Sequence, residues 1–321
     1  MSVVAGCLLL DGVLLAADTR ITYPGSYGSN MFVDNALKIF PFAPGTAIGY
    51  VGTVETASML LQHLIAGRDL QQRTHPMRLH RWIPRLLRGV YRRLPSDLQR
   101  QVSFMVASSF ADTLQAVETA TIGRLLLDGA KNGMNMISGS LPWEILNSGK
   151  AVTQIPNTCN SILYVMNSPN FDPRTCPPLS FMAIGSGKAV VESILRDHAR
   201  IVLGNINSHL EPAWFRLTIK NFVEHNAIDS VGGLYPVLKV RGNETVPFGF
   251  AVTSYKQGSS EVEAKVELSV EAGQWIQRER LSGTSVTLET PWDLLKNPTH
   301  NVLFDYIDSR RWRKRECKVN P

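Results

Sequence analysis

Cysteine is scarce. The 321 residues hold four, Cys7, Cys159, Cys176 and Cys317, and no two stand at the C-x-x-C separation of a zinc or redox motif. Neither a disulfide scaffold nor a cysteine metal centre is expected, and the thiols are read as reduced. The seven histidines are scattered, with no H-E-x-x-H among them, so no metal and no other cofactor is expected. No run of about 18 uninterrupted apolar residues occurs, so no membrane span is expected. One stretch, "MSVVAGCLLLDGVLLAA", imitates a signal peptide. It has no basic residue ahead of its apolar run, and Asp11-Gly12 interrupts it. A turn between two strands explains it better, and a cytoplasmic protein is expected.

What is present is an ordinary globular composition. Apolar residues make up 44% and charged residues 19% of the chain, enough to bury a sizeable core in one elaborated domain. The net charge of +6 is concentrated in "RDLQQRTHPMRLHRWIPRLLRGVYRRL" around Trp82 and in "RRWRKR", Arg310 to Arg315. Basic patches can bind phosphates. Without a nucleic-acid reader motif they are read as a solvated helix face and a solvated tail, so nucleic acid is not the expected partner.

Ser2 to Leu10 reads as a strand apolar on both faces, the pattern of a strand sandwiched between layers. Asp11-Gly12 reads as a two-residue turn and Val13 to Ala17 as the return strand. The loop "YPGSYGSN" follows, then "ALKIFPF" and "GTAIGYVG" as a second hairpin. Thr53 can cap a helix, "VETASMLLQHLIAG", that ends at Gly67. The arginine-rich segment continues as helix, broken near Pro84 and Pro95. Strands are expected at "VSFMVASS", "SILYVMN", "LSFMAIGSG", "LYPVLKV", "PFGFAVTSY" and "EVEAKVELSV", with helices over Lys188–Leu203 and Pro212–His225. From about Gln274 the chain reads as a mixed tail. The order of strands, helices and strands suits two layers of sheet covered by helices.

One ordered set of residues carries chemistry: Ser2 behind the initiator methionine, "DGVLLAADTR" with Asp18, Lys38 in "ALKIF", "GYVG" from Gly49 to Gly52, and "AIGSGKAVVESIL" around Ser186. In this order and spacing the set resembles the proteasome β-subunit family and its bacterial HslV-like relatives, which are N-terminal nucleophile (Ntn) hydrolases. The likeness is close over residues 2 to about 67 and weaker, through "GSG" and "IDSVGG", to about 255. It implies an α+β chain folded as a four-layer αββα sandwich over residues 2–255, with an insertion at about 110–160 and a C-terminal extension over 256–321. It implies peptide or protein substrates, and a homo-oligomer, in the family a ring that encloses the sites. The chain has no nucleotide-binding motif of its own, so an unfoldase ATPase would be a separate partner.

The chemistry explains why those residue types are needed. With Met1 removed, Ser2 carries a hydroxyl nucleophile and a free α-amine of reference pKa about 7.7–8.0, a general base near neutral pH. Lys38 would place positive charge beside the hydroxyl, and Asp18 would orient Lys38 and offset its charge. A lysine in an apolar strand needs such a partner. With a two-residue turn Asp18 falls opposite Ala5, on the face away from Ser2, so a lysine bridging the two is what the register requires. The Gly49 N–H is the expected oxyanion donor. The resemblance implies that Ser186 supports the nucleophile's amine. The family's D-x-x-S-G-G block is one residue short here, "DSVGG", so either Asp229 or Ser230 could take its role, with Asp229 carried over as the site residue. The usual nucleophile is threonine, and serine lacks the methyl group that fixes its rotamer. Arg20 is read as a structural salt-bridge residue and Cys7 as core. The competing functions are a non-catalytic subunit or binding protein on the same fold, a non-peptide amidase or acylase, and a nucleic-acid-associated protein.

Overall fold

The computed structural model describes residues 2–9, 12–24, 30–71, 76–110, 160–177, 180–193, 231–255 and 262–290, with isolated positions at 195, 212, 215, 216, 218–220, 223 and 260. Asp229, Ser230, Met1, the 111–159 segment and Arg310 to Arg315 lie outside the described residues. Two helices are described in full, α1 (Val54–Gln71) and α2 (Pro76–Tyr91). The strands are β1 (Val3–Leu8), β2 (Val13–Ala17), β3 (Ile21–Pro24), β4 (Asn30–Val33), β5 (Ile39–Ala43), β6 (Thr46–Gly52), β7 (Val102–Phe110) and β8 (Asn160–Asn167). They continue as β9 (Arg174–Thr175), β10 (Ser180–Gly185), β11 (Val237–Arg241), β12 (Glu244–Phe248), β13 (Phe250–Tyr255), β14 (Val262–Glu271), β15 (Gln274–Glu279) and β16 (Ser285–Thr287). The fold mixes helix with antiparallel sheets. No described helix is long and apolar enough to cross a membrane.

Two five-stranded sheets position the site, ordered β10-β1-β2-β11-β12 and β5-β6-β7-β8-β9. They face each other. A Cβ on Gly6 of β1 would stand 2.8 Å from Met105 Sδ on β7, so this glycine sets how closely the sheets approach. The both-faces-apolar reading of the first hairpin holds. Val4, Leu8, Val13, Leu15 and Ala17 join the core between the sheets and against α1 and α2. The alternate residues Val3, Ala5, Cys7, Leu14 and Ala16 pack with Val191, Leu195, Phe215, Ile219 and Val223, which are helical. Period-two alternation thus feeds two cores from one hairpin.

Several details depart from expectation. The β1–β2 ladder ends at Leu8–Val13, leaving residues 9–12 outside it, with Leu9 N–H donating to Gly12 O at 2.8 Å. The hairpin therefore closes at Leu9–Gly12, one position earlier than a turn on Asp11-Gly12 would place it, and Asp18 follows on opposite Val3, not Ala5. A shift of two keeps the same face, so the argument about sides survives. The helix does not stop at Gly67. That glycine lies against Trp82 of α2, whose Cζ2 would be 2.7 Å from an added Cβ, and α1 runs on to Gln71. Pro84 does not break α2 either. Leu79, Trp82, Ile83, Leu87 and Val90 are buried at helical spacing and hold the helix through the lost hydrogen bond, while Arg81 and Arg85 stay exposed.

"YPGSYGSN" is flanked by a ladder of β3 and β4, and "PFGFAVTSY" splits at Gly249 into β12 and β13. The mixed tail expected from Gln274 contains β15 and β16. They complete a four-stranded sheet, β13-β14-β15-β16, so the expected boundary at 255 falls between two paired strands. This sheet reaches the main core through Leu268, Trp275 and Leu288. Its last strand leads into a short pairing beside Lys38: Leu37 N–H donates to Glu289 O and Glu289 N–H to Asn35 O, both at 2.7 Å.

Candidate functional site

Asp18 follows β2 directly and is wholly buried; Lys38 precedes β5 and is 2% exposed. Lys38 Nζ donates to Asp18 Oδ2 at 2.8 Å and also to the Arg20 carbonyl oxygen. The carboxylate is held from more sides than one. Val3 N–H donates to Oδ1 at 2.8 Å and Arg20 N–H to Oδ2 at 3.2 Å, with Gly232 N–H adding support. Burial works against both charges. It pushes the Asp18 carboxyl above and the Lys38 ammonium below its ordinary value, each opposed by the other's charge. Lys38 itself sits one residue before the strand expected to contain it. Its carbonyl accepts Tyr50 N–H at 3.0 Å, which registers β5 on β6 and fixes where the side chain starts.

Ser2 is buried to within 8% of full exclusion and lies at the mouth of β1. Its carbonyl oxygen accepts the Ser186 N–H at 3.0 Å and the Ser186 Oγ–H at 3.4 Å. The expected partner of Ser186 was the amine of Ser2; the contact present is to its carbonyl. The "GSG" block acquires a physical reason here. Gly185 has φ +99°, and an added Cβ would stand 1.9 Å from Ser2 O. Gly185→Ala is therefore expected to dislodge residue 2. Gly283 also has a positive φ, +73°, but nothing within 4 Å of an added Cβ, so Gly283→Ala isolates the backbone cost. Urea denaturation of both variants should show a loss about 1–3 kcal/mol greater for Gly185→Ala.

Ser2 and Lys38 share one cleft of about 850 Å³ with Gly52, Thr53, Gly185 and Ser186. The size suits a segment of peptide or a small ligand. Gly49 is not among the cleft residues. It sits mid-strand between Ile39 and Met105, and a Cβ there would meet Val4 at 2.7 Å. Its role is to let the two sheets close, which corrects the expectation of an oxyanion donor at 49. The other glycine of "GYVG", Gly52, opens on the cleft with φ +111° at the junction of β6 and α1. The signal available in the sequence was that junction, a Gly-Thr pair before the helical run.

Arg20 behaves as a structural residue: Nε and Nη2 donate to the two Asp34 oxygens at 2.8 and 2.9 Å. The "VGG" that ends "DSVGG" packs on the Asp18 segment. Thr19 N–H donates to Gly232 O at 3.1 Å, and Leu234 N–H donates to Thr19 Oγ1 at 2.9 Å. Cys7 is buried in the core as expected. Comparison with known proteins finds no protein-family model and no curated protein that matches this chain.

Proposed function

We propose that this chain is an Ntn hydrolase of the proteasome β-subunit type, cleaving peptide bonds through Ser2 once Met1 is removed. The observation that carries the reading is the buried Asp18–Lys38 pair, which ends at the cleft that also holds Ser2. A lysine is costly to bury, and one buried at a cleft beside a terminal serine suits work on that serine's charge. Support comes from the two facing sheets, with helical residues against the outer side of each, as a four-layer αββα sandwich requires.

The reaction needs no group beyond the chain and water. Ser2 Oγ attacks the carbonyl carbon of the scissile amide, and its proton passes to the α-amine, directly or through one water. The charge of Lys38 stabilises the developing alkoxide and keeps the amine from holding a proton too tightly. Gly52 N–H is the candidate donor to the oxyanion. Tyr50 N–H points to the β5 side and Thr53 N–H to Gln101 O, so alternation turns Gly52 N–H away from β7. Collapse breaks the C–N bond, and the leaving amine takes the proton from the ammonium. Water then attacks the acyl-Ser2 ester, restoring the hydroxyl and releasing a carboxylic acid. The same reading brings peptide or protein substrates and assembly with further copies of the chain.

The pH profile follows from these roles. Activity should rise as the α-amine loses its proton, at or below about 7.7–8.0. It should fall when Lys38 loses its charge, below the ordinary lysine value of about 10.4, because burial lowers that proton's affinity. Measured kcat/KM should trace a bell, and a profile flat between about pH 6 and 9 would remove the amine from the mechanism.

The function itself is tested with two preparations of the full chain, one beginning at Ser2 and one retaining Met1. Peptide hydrolysis is expected from the first alone. Equal hydrolysis by both, or by neither across a diverse peptide mixture, contradicts the proposal.

A further inference from the structure

We propose that the cleft selects acidic peptide segments, with aspartate or glutamate side chains flanking the bound stretch. The hydrolase reading enters only in naming the ligand a peptide. Three cations from three separate parts of the chain line the cleft that holds Ser2: Arg100 just before β7, Arg174 on β9, and Lys188 directly after the Gly185–Gly187 turn. Among the described lining residues one carboxylate opposes them, Glu55 in the first turn of α1. The charge of Lys38 is already matched by Asp18.

The cations stand on both walls. Arg174 belongs to the sheet of β5 to β9, where β9 pairs with β8 at Arg174–Val165, and Arg100 lies just ahead of β7 in the same sheet. Lys188 belongs to the opposite sheet's side, beyond β10. Their charges face solvent and remain available. Arg100 and Arg174 are exposed, and the Arg100 hydrogen bond, Nε to Asp97 O at 2.9 Å, uses one of five guanidinium donors and matches no charge. The Lys188 side chain is 45% exposed, and its carboxylate neighbour Glu192 stands at 3.9 Å while accepting Ala183 N–H at 3.1 Å. Cations of one sign on both walls of a concave site concentrate anions there. The neutral amides of Gln101 and Asn167 between them suit the backbone of an extended peptide. The arginines of α2 are a separate matter, since Arg81 and Arg85 are exposed on the outer helix.

The test uses full-length Ser2→Ala protein and fluorescein-labelled peptides identical except for Glu, Gln or Lys at the variable positions. Binding is read by fluorescence anisotropy at low and high salt, with a labelled single-stranded oligonucleotide as a fourth probe. The Glu peptide should bind about tenfold tighter than the Gln peptide at low salt and lose most of that advantage at high salt. Arg100→Gln with Arg174→Gln should remove the preference. Arg174→Glu with Lys188→Glu should invert it toward the Lys peptide, which keeps the test decisive if neutral variants change little. Equal binding of the Glu and Gln peptides, no binding of any peptide, or tighter binding of the oligonucleotide overturns the proposal. Hydrolysis is scored separately with Ser2 intact. Ser2-dependent cleavage without acidic preference leaves the hydrolase reading standing and removes this one; acidic preference without cleavage does the reverse.

Discussion

Lys38→Met should destabilise the fold by about 3–5 kcal/mol, with the urea midpoint lowered and its slope unchanged. Asp18 is fully buried, and Lys38 is the side-chain cation that holds it. Methionine fills a similar volume but leaves the carboxylate uncompensated in the interior, where charge is expensive. The double variant Asp18→Asn with Lys38→Met should recover much of the loss, since an amide oxygen can still accept Val3 N–H. A surface pair gives the contrast. Arg88 and Asp172 lie 2.5 Å apart, but Asp172 is 71% exposed, so breaking that pair should cost less than about 1 kcal/mol.

The pH dependence of the Lys38→Met deficit has a definite sign. Without its lysine the Asp18 carboxyl rises further above its unfolded value. The native state then holds a proton that the unfolded state gives up. The deficit should be smallest below the ordinary aspartate pKa of about 3.9 and should grow as pH rises through the native value. A deficit independent of pH would mean that Asp18 is not the group left unpaired.

Ser2→Ala should lower peptide turnover by roughly 10⁴-fold or more while leaving the unfolding midpoint nearly unchanged. The variant keeps the α-amine, the Asp18–Lys38 pair and the Ser186 contact to the residue 2 carbonyl, and removes only Oγ. Ser2→Thr should retain activity, because the added methyl restricts the hydroxyl's rotamers without removing the nucleophile. Loss of turnover with a large fall in stability would instead assign Ser2 a structural role.

Much of this was legible in the sequence because it was local. The unbroken apolar runs on either side of Asp11-Gly12 announce strands buried on two sides, and the two cores they feed are the two sheet faces. Lys38 near an apolar strand demands a partner, and Asp18 is the partner found. What escaped was long-range. The hairpin closes at Leu9–Gly12, one position earlier than Asp11-Gly12 suggested. Gly67 and Pro84 read as helix terminators, yet one accommodates Trp82 and the other is carried by packing on both sides. Gly49 and Gly52 belong to one motif, and only the paths of β5 and β7 decide which glycine is enclosed and which faces the cleft. β16 and the pairing at Glu289 beside Lys38 could not be seen in a tail without strong alternation. The cations of the cleft come from positions 100, 174 and 188, which nothing in the linear order connects.

The central claim is that one residue supplies both the nucleophile and the base. An α′,β′-epoxyketone peptide reports on this directly, because a hydroxyl adds to its ketone and an amine opens its epoxide. A stable ring forms only where both groups belong to the same residue. Mass spectrometry of the treated protein should place a single adduct on Ser2 of chains that lack Met1, and none on Ser2→Ala. Cleavage activity in chains that retain Met1, or an adduct at any other residue, would contradict the account.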